Sequence, residues 1–151
     1  MRSLHGIHVH GFPNLFIIGG LHQAAVSINQ PLVFGDQAAH VSRIIKDALD
    51  RCALTVEVRP EAQQHWGEVI AARSTYNHEA SHQCTPGAFN NENADEKTEP
   101  GVFATAYGGG PIEYANVLQA WRAEGMQHDL AFTFKADQPT LVPGTVGESD
   151  A

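Results

Sequence analysis

The chain has 151 residues, 42% of them hydrophobic, with 9 lysines and arginines against 17 aspartates and glutamates, a formal charge of −8. Such a length buries on the order of two thirds of its unfolded surface and suits one domain with a real core, while the acidic balance excludes the clustered Lys and Arg that nucleic-acid or anionic-membrane binding needs. Apolar runs of a few residues, as in Leu15 to Ile18, fall short of the roughly 20 of a membrane span, and two cysteines without a signal pattern predict a cytoplasmic setting.

In chain order, Ile7 to Val9 and Leu15 to Ile18 read as short strands flanking a Gly11-Phe12-Pro13-Asn14 turn, with Gly19-Gly20 breaking the second run. A long helix follows, opened by Pro31 with Asn29 or Gln30 as cap. Its stripe of Leu32, Val33, Ala38, Val41, Ile44, Ile45, Ala48, Leu49 and Cys52 carries it to about Ala53. Thr55 to Val58 is β-type, and Pro60-Glu61 starts a second helix containing Trp66 and Ile70. From Gln83 to Gly101 the chain is polar and loop-like, and a loop of that length usually has a function or lacks order. Tyr114, Val117, Leu118 and Trp121 mark a third helix that Gly125 stops, and Leu130 to Phe134 alternates as a half-buried strand. A Pro, Gly and acid-rich tail closes the chain from Ala136.

Few side-chain constellations stand out. His8 and His10 would share one strand face, as a divalent metal site could use, but no third ligand stands at recognisable spacing. No metal site is expected. Cys84 lies near His78 and His82 without a third orienting group, so an ordinary cysteine is the plainer reading. Gly108-Gly109-Gly110 lacks the Lys-Ser or Lys-Thr pair of a phosphate loop and reads as a turn. Trp66 and Trp121 sit on apolar helix faces and are expected in the core.

Four blocks add what periodicity cannot. The run from Leu4 through His5-Gly6-Ile7-His8-Val9-His10 and Gly11-Phe12-Pro13-Asn14 to Leu15-Phe16 resembles the segment by which flavin-dependent Baeyer-Villiger monooxygenases return to their FAD-binding domain. Gln23-Ala24 and Asn29, then Gln37, His40 and Ile44, resemble the loop and helix that follow it. Cys84-Thr85-Pro86-Gly87-Ala88-Phe89-Asn90-Asn91 and Tyr107-Gly108-Gly109-Gly110-Pro111-Ile112-Glu113-Tyr114, with Ala120-Trp121-Arg122-Ala123-Glu124-Gly125, are similar to the C-terminal region of the subgroup acting on large cyclic ketones and steroids. The resemblance runs from about Leu4 to about Phe134. One departure is Gly20-Leu21, where the family carries Gly-Pro.

The resemblance implies an α/β fold that is the C-terminal fragment of a flavoprotein with two dinucleotide-binding domains. Residues 1–53 would be the last strand, loop and helix of an FAD-binding domain; residues 54–135 a cap-like extension with a mobile loop over 83–106; residues 136–151 a flexible tail. The family's G-x-G-x-x-G fingerprints and its catalytic arginine stand upstream of this stretch, and the chain has no such fingerprint. Carried over, Gly19, Gly20, Gln23, Ile28 and Asn29 would lie by the FAD. Ala24, Ala25, Val26 and Ser27 would border the ketone, and Thr85, Pro86, Gly87, Phe89 and Asn90 would belong to a lid. No catalytic residue is assigned.

The family reaction uses NADPH, FAD and O2 to convert ketones to esters or lactones. The expectation for this chain is a fragment or split subunit that binds neither cofactor tightly alone and pairs with a separate FAD/NADP-binding chain or with itself. One alternative is a non-catalytic remnant acting as a binding or oligomerising module. Another is a cofactor-free enzyme on the old ketone pocket, for which Glu113 and the histidines are nominal acids and bases.

Overall fold

A computed structural model of the chain describes residues 2–19, 29–75, 83–87 and 105–135. Its elements are α1 (Gln30–Asp50), β1 (Ala53–Val58), α2 (Pro60–Arg73), α3 (Gly110–Glu124), a short 3-10 turn (Met126–His128) and β2 (Leu130–Phe134).

Helix α1 starts where the sequence indicates, with Asn29 at the cap position and a proline in its first turn, although the Asn29 side chain makes no capping hydrogen bond. It ends at Asp50, short of the expected Ala53. Cys52 takes a left-handed backbone (φ 56°) and its N–H donates to the Leu49 carbonyl at 2.9 Å, so the chain reverses directly into β1. The buried residues of α1 are Val33, Gln37, His40 and Ile44. Of the apolar stripe expected for this helix, Leu32, Ile45 and Leu49 face outward instead. Helix α2 begins on a proline and buries Ala62, Trp66 and Ile70, one residue per turn; α3 buries Tyr114, Leu118 and Trp121. Gly125, at φ 90°, ends α3.

Strands β1 and β2 pair antiparallel, with Val58 opposite Leu130 and Ala53 opposite Phe134 and one irregularity between Ala53 and Thr55. Val56, Val58 and Leu130 point into the core, and the Thr55 and Thr133 hydroxyls bond across the outer face.

The amino-terminal segment corrects the expected strand-turn-strand. Neither Ile7 to Val9 nor Leu15 to Ile18 lies in a ladder; among the described residues this region holds a single bridge, Leu4 to His8, around a tight turn with left-handed His5 and Gly6. A β run becomes a strand only beside a neighbouring strand, and here Ile17 N–H to the Ile7 carbonyl, 2.8 Å, is the one bond between the two runs. The Gly11-Phe12-Pro13-Asn14 turn hooks onto β1 instead. Asn14 donates its N–H to the Val56 carbonyl, accepts the Val56 N–H on Oδ1 and donates from Nδ2 to the Leu54 carbonyl, all at 2.9 to 3.1 Å. Glycine 11 donates its N–H to Glu57 Oε1 at 2.7 Å, and the His10 ring meets the Val58 carbonyl at 3.0 Å.

Among the described residues the core is one cluster. Leu4 and Ile7 from the amino-terminal turn pack with Val33 and Ile44 of α1, Val56 and Val58 of β1, Trp66 and Ile70 of α2, and Tyr114, Leu118 and Trp121 of α3. It therefore draws on both sides of the expected boundary near residue 53.

Candidate functional site

At the start of α1 the backbone of Gly19 has φ 77°, a conformation suited to glycine, and a Cβ there would lie 2.9 Å from the Phe34 ring. Its N–H donates to Gln37 Oε1 at 2.9 Å. Phe34 and Gln37 both belong to the amino-terminal half of α1, so the glycine turn is held against that part of the helix. Gln37 is wholly buried; its Nε2 donates to the Tyr114 hydroxyl at 3.0 Å, and that hydroxyl donates to the His5 carbonyl at 2.6 Å.

Beneath this bridge lies an aromatic and imidazole cluster. His5 stacks edge-on to Trp66 and Trp121 with ring centres 4.7 and 5.4 Å apart, and to His40 at 5.8 Å; His8 meets Phe16 at 5.3 Å and His40 at 6.0 Å. All three histidines are buried, and His5 Nδ1, His8 Nε2 and His40 Nε2 have no hydrogen-bond partner among the described residues. Burial holds them neutral. It pushes His8 down to about 4 and His40 to about 3, the latter also through His8 and Arg122, and His5 well below the usual imidazole range. Arg122 lies 3.0 Å from His40 Nδ1, and a guanidinium only donates, so His40 carries its proton on Nε2. Among the described residues no three His, Cys, Asp or Glu side chains are arranged to hold a metal ion.

An open cleft of about 460 Å³ runs over α2 and α3, with Trp66, Trp121 and His5 in its floor and Arg73, Tyr107 and Glu113 among its walls. Arg73 pairs with Glu113, and the Tyr107 hydroxyl donates to the same carboxylate at 2.8 Å. The Tyr107 bond and then Arg73 hold the Glu113 carboxyl below the usual carboxylate range, which makes it a weak base. The buried His5, His8 and His40 are likewise held neutral and make poor bases, while His65 and His128 also line the cleft. The glycine run has a packing reason: a Cβ on Gly108 would fall on the Arg73 carbonyl oxygen, and one on Gly109 would lie 2.6 Å from both Glu113 and the Tyr107 ring.

Of the residues that the family resemblance brings to the flavin, Gly19 and Asn29 are described, and both are exposed. Gly20, Gln23, Ala24, Ala25, Val26, Ser27 and Ile28 lie outside the described residues, as do Phe89 and Asn90 of the lid stretch. Thr85 and Pro86 are exposed and Gly87 half-buried. His8 and His10 do not share a face, since His8 is buried and His10 exposed. Cys84 is exposed. Periodicity alone missed Gln37 and His40 as core residues. Their signal is phase: at 33, 37, 40 and 44 they continue the stripe of Val33 and Ile44, and polar residues in that register imply buried hydrogen bonds.

The helix and strand arrangement is that of part of a flavoprotein monooxygenase. It superimposes on the polycyclic ketone monooxygenase of the fungus Thermothelomyces thermophila with a TM-score of 0.74 at 26% identity, over 90% of this chain and 22% of that one. It also matches a closed crystal structure of cyclohexanone monooxygenase with a TM-score of 0.70 at 23% identity, over 89% and 24%.

In sequence the chain is 37% identical over 130 residues to pentalenolactone D synthase of Streptomyces exfoliatus, covering 86% of this chain and 21% of that protein. It is 34% identical over 130 residues to a Baeyer-Villiger monooxygenase of Streptomyces coelicolor, with the same coverage. No family model matches the chain. These residues are thus homologous to a segment of the Baeyer-Villiger monooxygenases, and the chain spans about a fifth of the length of the curated relatives it matches, 21% in each.

Proposed function

We propose that these residues form the C-terminal, flavin- and ketone-facing part of a Baeyer-Villiger monooxygenase, completed by FAD- and NADP-binding domains carried elsewhere in the same polypeptide or on a separate one. The observation that carries this reading is the Gly19 turn, side-chain-free, exposed and fixed against the head of α1 by Phe34 and Gln37. The absent Cβ admits the Phe34 ring, which seats the turn on the helix and leaves its exposed backbone side to a flat ring, and the start of α1, whose Asn29 side chain makes no cap bond, offers the positive end of the helix dipole. The residues fit one edge of a flavin. They do not supply its pyrophosphate cradle, because the sequence has no G-x-G-x-x-G loop.

When bound, FAD and NADPH supply the electrons and the O2 chemistry that inserts one oxygen beside a ketone carbonyl. The chain's own share is positional. Gly19 and Gly20 bring backbone against the ring; Ile28 and Asn29 present the helix start to its pyrimidine edge, where that dipole favours the negative charge of the reduced state. Gln23 lies by the flavin, and the run Ala24, Ala25, Val26 and Ser27 that begins there borders the ketone. Thr85, Pro86, Gly87, Phe89 and Asn90 close over it and limit water. The compartment proposed is the cytoplasm, where NADPH is supplied.

The test is complementation. The purified chain is expected to show no stoichiometric flavin absorption band; mixed or coexpressed with the nucleotide-binding region of a homologous enzyme, it is expected to restore ketone-dependent NADPH oxidation with ester or lactone formation. A stoichiometric flavin band from the chain alone would overturn the shared-site reading. Absence of any oxygen insertion in a complex shown to form would overturn the assignment to this reaction.

A second reading has its own observation. Ile45 and Leu49, one turn apart on α1, are exposed, Leu49 at 69%, as are Leu32 and Leu54, which favours a module that buries the Ile45 and Leu49 side of α1 against a partner or a second copy.

A further inference from the structure

Gln37 is an amide buried to 0% exposure in the middle of the apolar face of α1. Burying an amide is costly unless its polar atoms are bonded, so its partners indicate what it is there to hold. They form a directed chain. A tyrosine hydroxyl has one proton, and Tyr114 directs it to the His5 carbonyl at 2.6 Å, so it accepts from Gln37 Nε2 at 3.0 Å. That contact fixes which way the amide faces, leaving Oε1 to accept the Gly19 N–H at 2.9 Å. The amino-terminal turn, α3 and the glycine turn thereby meet on one side chain.

We infer that Gln37 is a positioning residue, which through its bonds to Gly19 and Tyr114 sets the backbone direction of the turn that meets the flavin ring. The role rests on the flavin-facing reading of Gly19 and deepens it. It also assigns α3 a function beyond packing: Tyr114 orients Gln37, so a shift of α3 reaches the glycine turn through two hydrogen bonds. Neither Gln37 nor Tyr114 needs to touch the cofactor.

The experiment uses the full 151-residue chain, with hydrogen exchange at the Gly19 amide and its NMR cross-peak during titration with FAD as readouts. In the wild type the Gly19 amide is expected to be protected, and its cross-peak to move as millimolar FAD is added. Gln37→Leu, which keeps bulk and removes both polar groups, is expected to raise Gly19 exchange about tenfold, the equivalent of one ordinary hydrogen bond, and to weaken the FAD response by a similar factor. Gln37→Glu supplies a readout that mere packing would not move. Its carboxyl accepts the Gly19 N–H in either state but donates to Tyr114 only when protonated, so Gly19 stays protected while the FAD response is expected to change as pH falls from about 8 to about 5.5, within reach of a buried glutamate. Tyr114→Phe frees the amide to turn and is expected to give an intermediate loss.

If Gln37→Leu does not fold, the Gln37→Glu pH profile and Tyr114→Phe decide. Wild-type Gly19 exchange and FAD response in Gln37→Leu, or a Gln37→Glu response flat with pH, would overturn the positioning role alone. A wild-type Gly19 cross-peak indifferent to FAD would overturn the flavin-facing reading, and this role with it.

Discussion

Single residues in this chain are held by requirements that a substitution exposes. Gly19 combines a left-handed backbone with the Phe34 ring at its α-carbon. Gly19→Ala is expected to cost about 1–2 kcal/mol from the backbone alone, with more from displacing Phe34. Thermal unfolding of Gly19→Ala, Phe34→Ala and the double variant checks this, because only the ring contact is recovered in the double variant. The buried histidines make a second requirement, for neutrality. Their folded-state values lie below the unfolded one, so the stability they contribute is present above about pH 6.5 and is lost as pH falls toward 4 and 3. For His8 alone the loss between pH 7 and pH 4 is about 3 kcal/mol. Urea denaturation across that range is expected to show a falling midpoint, and His8→Phe, which suits the ring packing against Phe16, is expected to flatten the slope.

At the scale of elements, the α2 to α3 junction depends on close approach. Gly108→Ala would drive a methyl into the Arg73 carbonyl and is expected to destabilise by about 3 kcal/mol. Glu113→Gln, which weakens a largely exposed pair with Arg73, is expected to change the unfolding midpoint little. Chemical denaturation of the two variants separates a steric junction from an electrostatic one. The elements were legible in the sequence to different degrees, for physical reasons. Helices α2 and α3 follow from proline starts, spacing of Trp66, Ile70, Tyr114, Leu118 and Trp121, and the Gly125 stop, all local signals. β1 is visible in its β-type residues and β2 in its alternation; their pairing is not local and is not visible. The amino-terminal runs looked like strands by composition, but a strand is a relation to a neighbour, and the hook of Asn14 onto β1 joins positions 42 residues apart. Of the site, Gly19-Gly20 was marked by its glycines. The Gln37 bridge was hidden because hydropathy counts a buried glutamine as an outward-facing one.

For the whole molecule, the exposed leucines and isoleucine of α1 and β1 set behaviour in solution. Sedimentation is expected to show a mass that rises with concentration, and Ile45→Lys with Leu49→Lys, adjacent on one face of α1, is expected to return the chain to monomer. A wild type that stays monomeric at high concentration would count against the second reading. The kind of association is constrained by the Asn14 hook. An exposed strand edge invites another strand, which in turn presents a fresh edge, so growth through edges has no natural end. Here Asn14 and His10 occupy the Leu54, Val56 and Val58 carbonyls and the Val56 N–H along the outer side of β1. A side chain shaped to mimic a strand terminates the row without offering one of its own. Association at this side is therefore expected to be through side chains and of finite size, and Asn14→Ala to open it to fibrils that thioflavin T fluorescence would detect.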